Sequence, residues 1–161
     1  GLVNYVLVNI GILDKPYNFL TQPFAAKVVI ILALLWRWTG YNMVFFLSGL
    51  QNIEYSVYEA AKIDGASAIQ TFFKITVPLL KPTILLTAIM STNGTLQLFD
   101  ESINLTDGGP ANASISMSHY IYNLCFKYVP NFGYAAALSF FILLLVAVLA
   151  FIQMRVGDKR D

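Results

Sequence analysis

An all-α, polytopic membrane fold is what this sequence predicts, from three observations. Of 161 residues, 57% are hydrophobic and only 12% charged, a composition too apolar for an ordinary soluble domain. Three segments reach or approach spanning length: 28–50, whose one charge is Arg37; 83–99, uncharged and extendable back to 79; and 134–154, uncharged. A bilayer core of ~30 Å needs about 20 residues of helix, so the first and third segments satisfy the rule and the second is marginal. Between the first two lies a polar and amphipathic island, 51–82, with start and stop signals of its own.

Taken in order, residues 2–10 are apolar with Asn4 and Asn9 interspersed, and Gly11 stands where a short helix would end. That stretch is too short to span. A loop over 14–23, marked by Pro16 and Pro23, leads to the first span. Arg37 falls near the middle of that span. Facing lipid would cost it at least ~2.5–3.5 kcal/mol, so it should face the bundle, with Asn42, Asn93 or an acid outside these residues as partner. A structural ion pair and a transport role are equally compatible with that placement.

In the island, Asn52 is placed to cap a first helix, with Glu54 in its first turn. That helix runs to Ile63 or Asp64, where Gly65 supplies a left-handed stop. Ser67 followed by Gln70 has capping-box spacing. Ile69, Phe72, Phe73 and Val77 fall at i, i+3, i+4 and i+8, one apolar stripe, and Pro78 should end that helix. Isolated helices below ~12–15 residues are marginal in water, so the first helix needs a docking partner. Ala60 and Ala61 would let that partner approach closely.

The second span (79–99) is unusually polar, with Thr87, Ser91, Thr92, Asn93, Thr95 and Gln97. Asn93, Gln97 and Asp100 share a face at i, i+4 and i+7. Polar groups in hydrocarbon must be satisfied. Either this face lines a solute path, or its amides bond neighbouring helices at ~0.6–2 kcal/mol each. Asp100 and Glu101, at the outer mouth, read as a solvated helix end. The outer connection, 100–133, holds a turn at Asp107-Gly108-Gly109-Pro110 and a mixed polar and aromatic stretch, 114–127, suited to a short interfacial helix. Pro130 and Gly133 precede the last span.

Charge sets the orientation. With these spans, 51–82 and the C-terminal tail share a side, which carries Lys62, Lys74, Lys81, Arg155, Lys159 and Arg160, against Lys15, Lys27 and Lys127 opposite. The excess places the island in the cytoplasm. A net charge of +1 and the lack of a basic stripe with interleaved aromatics exclude nucleic acid as a partner. One Cys and one His exclude an internal disulfide and a metal cluster, and no cofactor is implied. The phosphate-cradling G-x-x-x-x-G-K-[ST] pattern does not occur, so any ATP used is bound by another chain. Ser48 with His119 as base would suggest a membrane protease, but the two fall on opposite sides of the bilayer.

Glu59-Ala60-Ala61, then Asp64-Gly65-Ala66, then Phe73, Ile75 and Pro78, resembles the cytoplasmic signature loop of binding-protein-dependent ABC importer permeases, in particular the sugar-importing, maltose-permease-like group. Leu50-Gln51-Asn52-Ile53, Leu105-Thr106-Asp107-Gly108-Gly109-Pro110, Tyr120-Ile121-Tyr122 and Gly133-Tyr134-Ala135 fit in the same order. Glu54 stands where the family usually has Pro, and both suit a first helical turn. The resemblance implies that residues 1–161 are the C-terminal part of one transmembrane permease domain, in the cytoplasmic (inner) membrane of a bacterium or archaeon. It implies an ATP-driven importer of a sugar or oligosaccharide, working by alternating access with no covalent chemistry on this chain. Glu59, Ala60, Ala61, Asp64, Gly65 and Ala66 would couple to cytoplasmic ATP-binding subunits. The matching helix of the family contributes to the solute path, which tips the reading of Asn93 and Gln97 toward that path; Arg37, on the first span, is a further candidate for it. The implied partners are those ATPase subunits, a second permease subunit, an extracytoplasmic solute-binding protein and the lipid bilayer. A channel or secondary carrier without an ATPase is the rival, and such a protein has no evident use for an ordered signature loop.

Overall fold

The computed structural model describes residues 1–157, and among them every regular element is helical. Lys159 and Arg160, which enter the charge asymmetry, lie outside the described residues. A short helix α1 (Leu2–Asn9) ends at Gly11, whose φ is +76°. It is tied to the loop that follows, where the Asn4 amide donates to the Tyr17 carbonyl at 2.8 Å and accepts from its N–H at 3.1 Å. The first long helix, α2 (Pro23–Gln51), begins earlier than hydropathy suggested. Pro23 is preorganised for a helix start, and Lys27 is carried within the helix.

The island forms a hairpin of α3 (Tyr55–Ile63) and a second limb, Ala68–Leu79. That limb comprises α4 (Ala68–Thr71), a π-helical turn (Phe72–Thr76) and α5 (Val77–Leu79). Pro78 does not end it. Across the π turn the ladder changes from Val77 N–H donating to the Phe72 carbonyl to Leu80 N–H donating to the Thr76 carbonyl. The missing proline donor falls where the register changes. The break comes instead at Leu80, followed by α6 (Lys81–Leu96), bent 65° from the limb.

The second span is therefore not one straight helix over 79–99. α6 has 16 residues, about 24 Å at 1.5 Å per residue, short of the ~30 Å core. It stops at Gln97, and helical backbone resumes at Asp100, leading into a π turn, Ser102–Thr106. α7 (Met117–Tyr122) runs into another π turn (Asn123–Lys127), and α8 (Phe132–Gly157) is the longest uninterrupted apolar run. α2 and α8 are long and apolar enough to cross a membrane, and a third crossing exists if the bent pair counts as one.

α6 is central, packed against both α2 and α8. Small residues permit the approach. A Cβ on Gly94 would lie 2.1 Å from Trp38 Cζ2 of α2, and one on Gly49 would lie 2.7 Å from Thr83 Oγ1 and 2.9 Å from Leu80 Cδ2. Polar pairs fasten the seams: Asn42 and Ser91 exchange hydrogen bonds at 3.3 Å, and the Gln153 amide donates to Thr92 Oγ1 at 2.8 Å. Thr87 turns its hydroxyl onto the Thr83 carbonyl, 2.9 Å away. Little else is buried, and large apolar side chains such as Phe24 (81%) and Trp36 (86%) remain exposed.

A test of the α2–α6 seam is the pair Gly94→Ala and Gly40→Ala. The first overpacks against Trp38 and should lower stability by about 1–3 kcal/mol; the second, with nothing within 4 Å of the added carbon, should be neutral or slightly stabilising through helix propensity. Reversible denaturation in detergent measures both, and equal losses would show that the close approach is not structural.

Candidate functional site

The hairpin is built by local backbone chemistry. Glu54, not Asn52, caps α3, with extended backbone at φ −62° and ψ 135°. Asn52 instead ends α2 and donates its amide to the Ser48 carbonyl at 3.1 Å. The reason is that α2 continues through Gln51, so the chain becomes extended only at Glu54. At the far end, Gly65 has φ +73°. Its N–H donates to the Lys62 carbonyl at 3.1 Å, and the Ala66 N–H to the Ala61 carbonyl at 3.0 Å. This is the paired pattern of a Schellman stop. The reciprocal capping box opens the second limb: Gln70 N–H donates to Ser67 Oγ at 3.3 Å, and Ser67 N–H to Gln70 Oε1 at 2.9 Å. The limbs are stapled by the Tyr58 and Thr76 hydroxyls, 3.2 Å apart.

That closure sorts the sequence-predicted residues. Glu59, Ala60, Asp64 and Gly65 are exposed on the outside of the hairpin, and Ala66 is half-buried. Ala61 is only 6% exposed, so it packs inside the hairpin and is not available to a partner as the sequence suggested. An i, i+1 pair in a helix cannot share one face.

The polar face divides in the same way. Ser91 and Thr92 are spent on α2 and α8, whereas Asn93 and Gln97 bond each other, Gln97 Nε2 donating to Asn93 Oδ1 at 2.6 Å. Both remain exposed. Gln97 closes α6 and lines a cavity of about 320 Å³ with Ser118, Ile121, Ser139, Ile142 and Leu143. Asp100 does not continue the face, because the helix is interrupted at 97–99.

Arg37 is held neither by Asn42 nor by Asn93. Its guanidinium donates to Glu101 Oε1 at 2.7 Å, with Asp100 Oδ2 at 3.8 Å. Glu101 is consequently not a solvated helix end: its side chain is 11% exposed, against 67% for Asp100. The partners are 64 residues apart, so no local pattern revealed the pair. The usable signal was that Asp100 and Glu101 are the only acids over 65–106.

Sequence reasoning also missed a buried polar knot in the connection between α6 and α8. The fully buried Ser102 hydroxyl lies 2.8 Å from His119 Nδ1 and 2.8 Å from the Ser114 carbonyl, and it accepts the Ser116 N–H at 3.2 Å. Ser114 bonds Thr106 Oγ1 at 2.7 Å and the Gly109 carbonyl. Asp107 Oδ1 stands 3.6 Å from His119 Nε2 and accepts from Lys127 Nζ at 2.6 Å. A Ser, His and Asp in a row suggests a nucleophile and its base. Here both Ser102 and His119 are 0% exposed, so no substrate reaches the hydroxyl, and the cluster braces α7 against the 102–106 turn.

A family model described as "Binding-protein-dependent transport system inner membrane component" matches residues 2–160. The lactose transport system permease protein LacF of Rhizobium radiobacter is 56% identical, over 99% of this chain and 54% of that protein. The trehalose/maltose transport system permease protein MalF of Thermococcus litoralis is 36% identical, over 99% and 53%. The arabinooligosaccharides transport system permease protein AraP of Bacillus subtilis is 33% identical, over 99% and 50%. The chain thus spans about half the length of these relatives. A crystal structure of a bacterial ABC transporter involved in the import of the acidic polysaccharide alginate superimposes with a TM-score of 0.84 at 26% identity, covering 100% of this chain and 56% of that one.

The Ser102–His119 knot should loosen in acid. Burial holds the His119 imidazole below its ordinary pKa, partly offset by Asp107, and the hydrogen bond from Lys127 lowers that of Asp107. Both groups have a folded pKa below the unfolded value, so both contributions are present above the unfolded pKa and are lost as pH falls. The His119 contribution declines first, below about pH 6.5. Amide exchange over 102–127, corrected for intrinsic rates, should quicken from about pH 7 to about pH 5. His119→Gln should remove that dependence; a knot equally protected across the range would contradict it.

Proposed function

The chain belongs to the family of inner membrane components of binding-protein-dependent transport systems, and from that premise we propose that it is the C-terminal part of a permease subunit of an ATP-driven sugar or oligosaccharide importer. The observation that carries the reading is the hairpin. It is closed at one end by a Schellman stop and opened at the next by a capping box, and it presents Glu59, Ala60, Asp64 and Gly65 outward. Such a tip is stiff, so a push on it is passed to α2 and α6 instead of being absorbed locally. The proposed partners are cytoplasmic ATP-hydrolysing subunits seated on this tip, a second permease subunit, and an extracytoplasmic solute-binding protein. Ala66 supports the turn from behind, and Ala61 acts only through hairpin packing. The hairpin side is proposed to be cytoplasmic, as the excess of lysine and arginine favours.

For the solute path we favour Asn93 and Gln97. Their amides are not spent on neighbouring helices, and they sit where α6 breaks. Discontinuous helices supply unpaired backbone groups at solute sites of other transporters, and irregular backbone at membrane depth is tolerated where it lines a cavity. Amides suit sugar hydroxyls because each offers both donors and an acceptor. Arg37, engaged by Glu101, is assigned as a strut beside this path and not as a solute ligand. The relatives named for lactose, trehalose/maltose and arabinooligosaccharides support a saccharide as the solute class.

Gly65→Val is the sharpest coupling test. Nothing lies within 4 Å of the added carbon, so the hairpin has room for it, but a β-branched residue at positive φ is strained by on the order of 1–3 kcal/mol. Membrane insertion should be normal while ATPase association and transport fall together. Gly65→Asn, which tolerates the left-handed region, should retain most of both. A Gly65→Val chain with full ATPase association and solute-stimulated turnover would defeat the assignment.

For the path, Gln97→Leu or Asn93→Leu should reduce transport on the order of tenfold, the loss of one or two hydrogen bonds to solute at about 0.5–1.5 kcal/mol each, with subunit assembly preserved. Unchanged transport, or assembly lost first, would return these amides to a purely structural role.

A further inference from the structure

The second limb of the hairpin has an outer face that no element of this chain covers. Its inner face is committed: Thr76 and Leu80 are buried, and Thr71, Ile75 and Val77 are half-buried. Its outer face presents Ile69, Phe72 and Phe73, which are 72%, 51% and 65% exposed. The two phenylalanine rings meet edge to face with centroids 5.0 Å apart, forming one apolar wedge. Beside them stands the exposed Lys74, and no acidic residue occurs anywhere over 65–99.

We propose that this wedge is a lipid-binding surface: the limb Ala68–Leu79 lies in the bilayer–water interface, with Ile69, Phe72 and Phe73 among the upper acyl carbons and Lys74 at the level of anionic headgroups. The bend fixes the depth. The limb leaves α6 at 65°, so it lies nearer the membrane plane than its normal when α6 runs across the bilayer. Phe73 is seven residues from the break at Leu80. At 1.5 Å per residue and that angle it drops only about 4 Å below the start of α6, which keeps it within the headgroup zone that interfacial helices occupy. Phenylalanine and isoleucine on one face with lysine and no acid is the composition of such helices. A protein partner would instead leave the wedge facing water whenever it dissociated. The π turn has a role here. Its extra residue sets Phe72 and Phe73 on the outside while keeping Thr76 against Tyr58. The inference rests on α6 spanning the membrane and is independent of what seats on the hairpin tip.

The test uses the complete transporter in phosphatidylcholine vesicles with or without phosphatidylglycerol, containing lipid with a nitroxide near the headgroup. Single cysteines made by Phe73→Cys, Ile69→Cys and Glu59→Cys, in a Cys125→Ser background, carry a bimane fluorophore. Labels at 73 and at 69 should each be quenched at least about twofold more than the label at 59, more strongly with phosphatidylglycerol, and Lys74→Gln should abolish that increment. Adding Gly65→Val, expected to lower tip docking from a position outside the limb, should leave the quenching unchanged. Quenching at 69 and 73 no greater than at 59 would overturn the proposal. So would labels shielded from lipid by the ATPase subunit, which would assign the wedge to a protein.

Discussion

A helix carrying Thr87, Ser91, Thr92, Asn93, Thr95 and Gln97 cannot lie in hydrocarbon unless those groups find partners, and the rest of the chain is arranged around that constraint on α6. Asn42 on α2 and Gln153 on α8 are placed to meet Ser91 and Thr92. Gly94 lets the Trp38 ring reach the α6 backbone, so that the seam is closely packed there. With both seams satisfied, one polar edge of α6 is left over, carrying Asn93 and Gln97. That leftover edge gives the proposed solute path its location.

The same accounting explains the connection that follows α6. Where α6 stops at Gln97, the chain does not simply emerge into a solvated loop. Arg37, stranded midway along α2, draws Glu101 inward, and the turn that follows is held by the Ser102–His119 knot. A half-buried charge and a fully buried histidine are costly on their own. Together they anchor 100–127 over the broken helix and give the cavity beside Gln97 a wall from α7 and α8. The chain elements that carry the proposed function are thereby fixed relative to one another at both ends of α6.

At the hairpin end of α6, rigidity comes from backbone rather than side-chain burial. The hairpin buries few apolar residues, Ala61 and, at the base of its second limb, Leu80. Yet its stop, its box and the Tyr58–Thr76 staple satisfy the helix ends that would otherwise fray. A stiff tip on a bent limb is mechanically suited to turning a displacement into rotation of α6. Local order therefore does not require a large core here, and the proposed docking and lipid contacts would add to an element already shaped.

Composition and segment length determined that the chain is helical and membrane-embedded, because those properties sum over many residues and tolerate local error. Nearest-neighbour chemistry determined the hairpin: Gly65 and the Ser67–Gln70 box act over three or four residues, and they appear in the structure where spacing placed them. Tertiary structure decided the rest. It moved the α3 cap from Asn52 to Glu54, because the length of α2 sets where the chain first becomes extended. It carried the second limb past Pro78, turned Ala61 inward, and broke the second span at Gln97. It also joined Arg37 to Glu101 and buried His119 against Ser102. The last two outcomes depend on which polar group meets which, 17 to 64 residues apart in sequence. Periodicity along one helix reports which faces are polar, but it holds no information about the partner that will satisfy them.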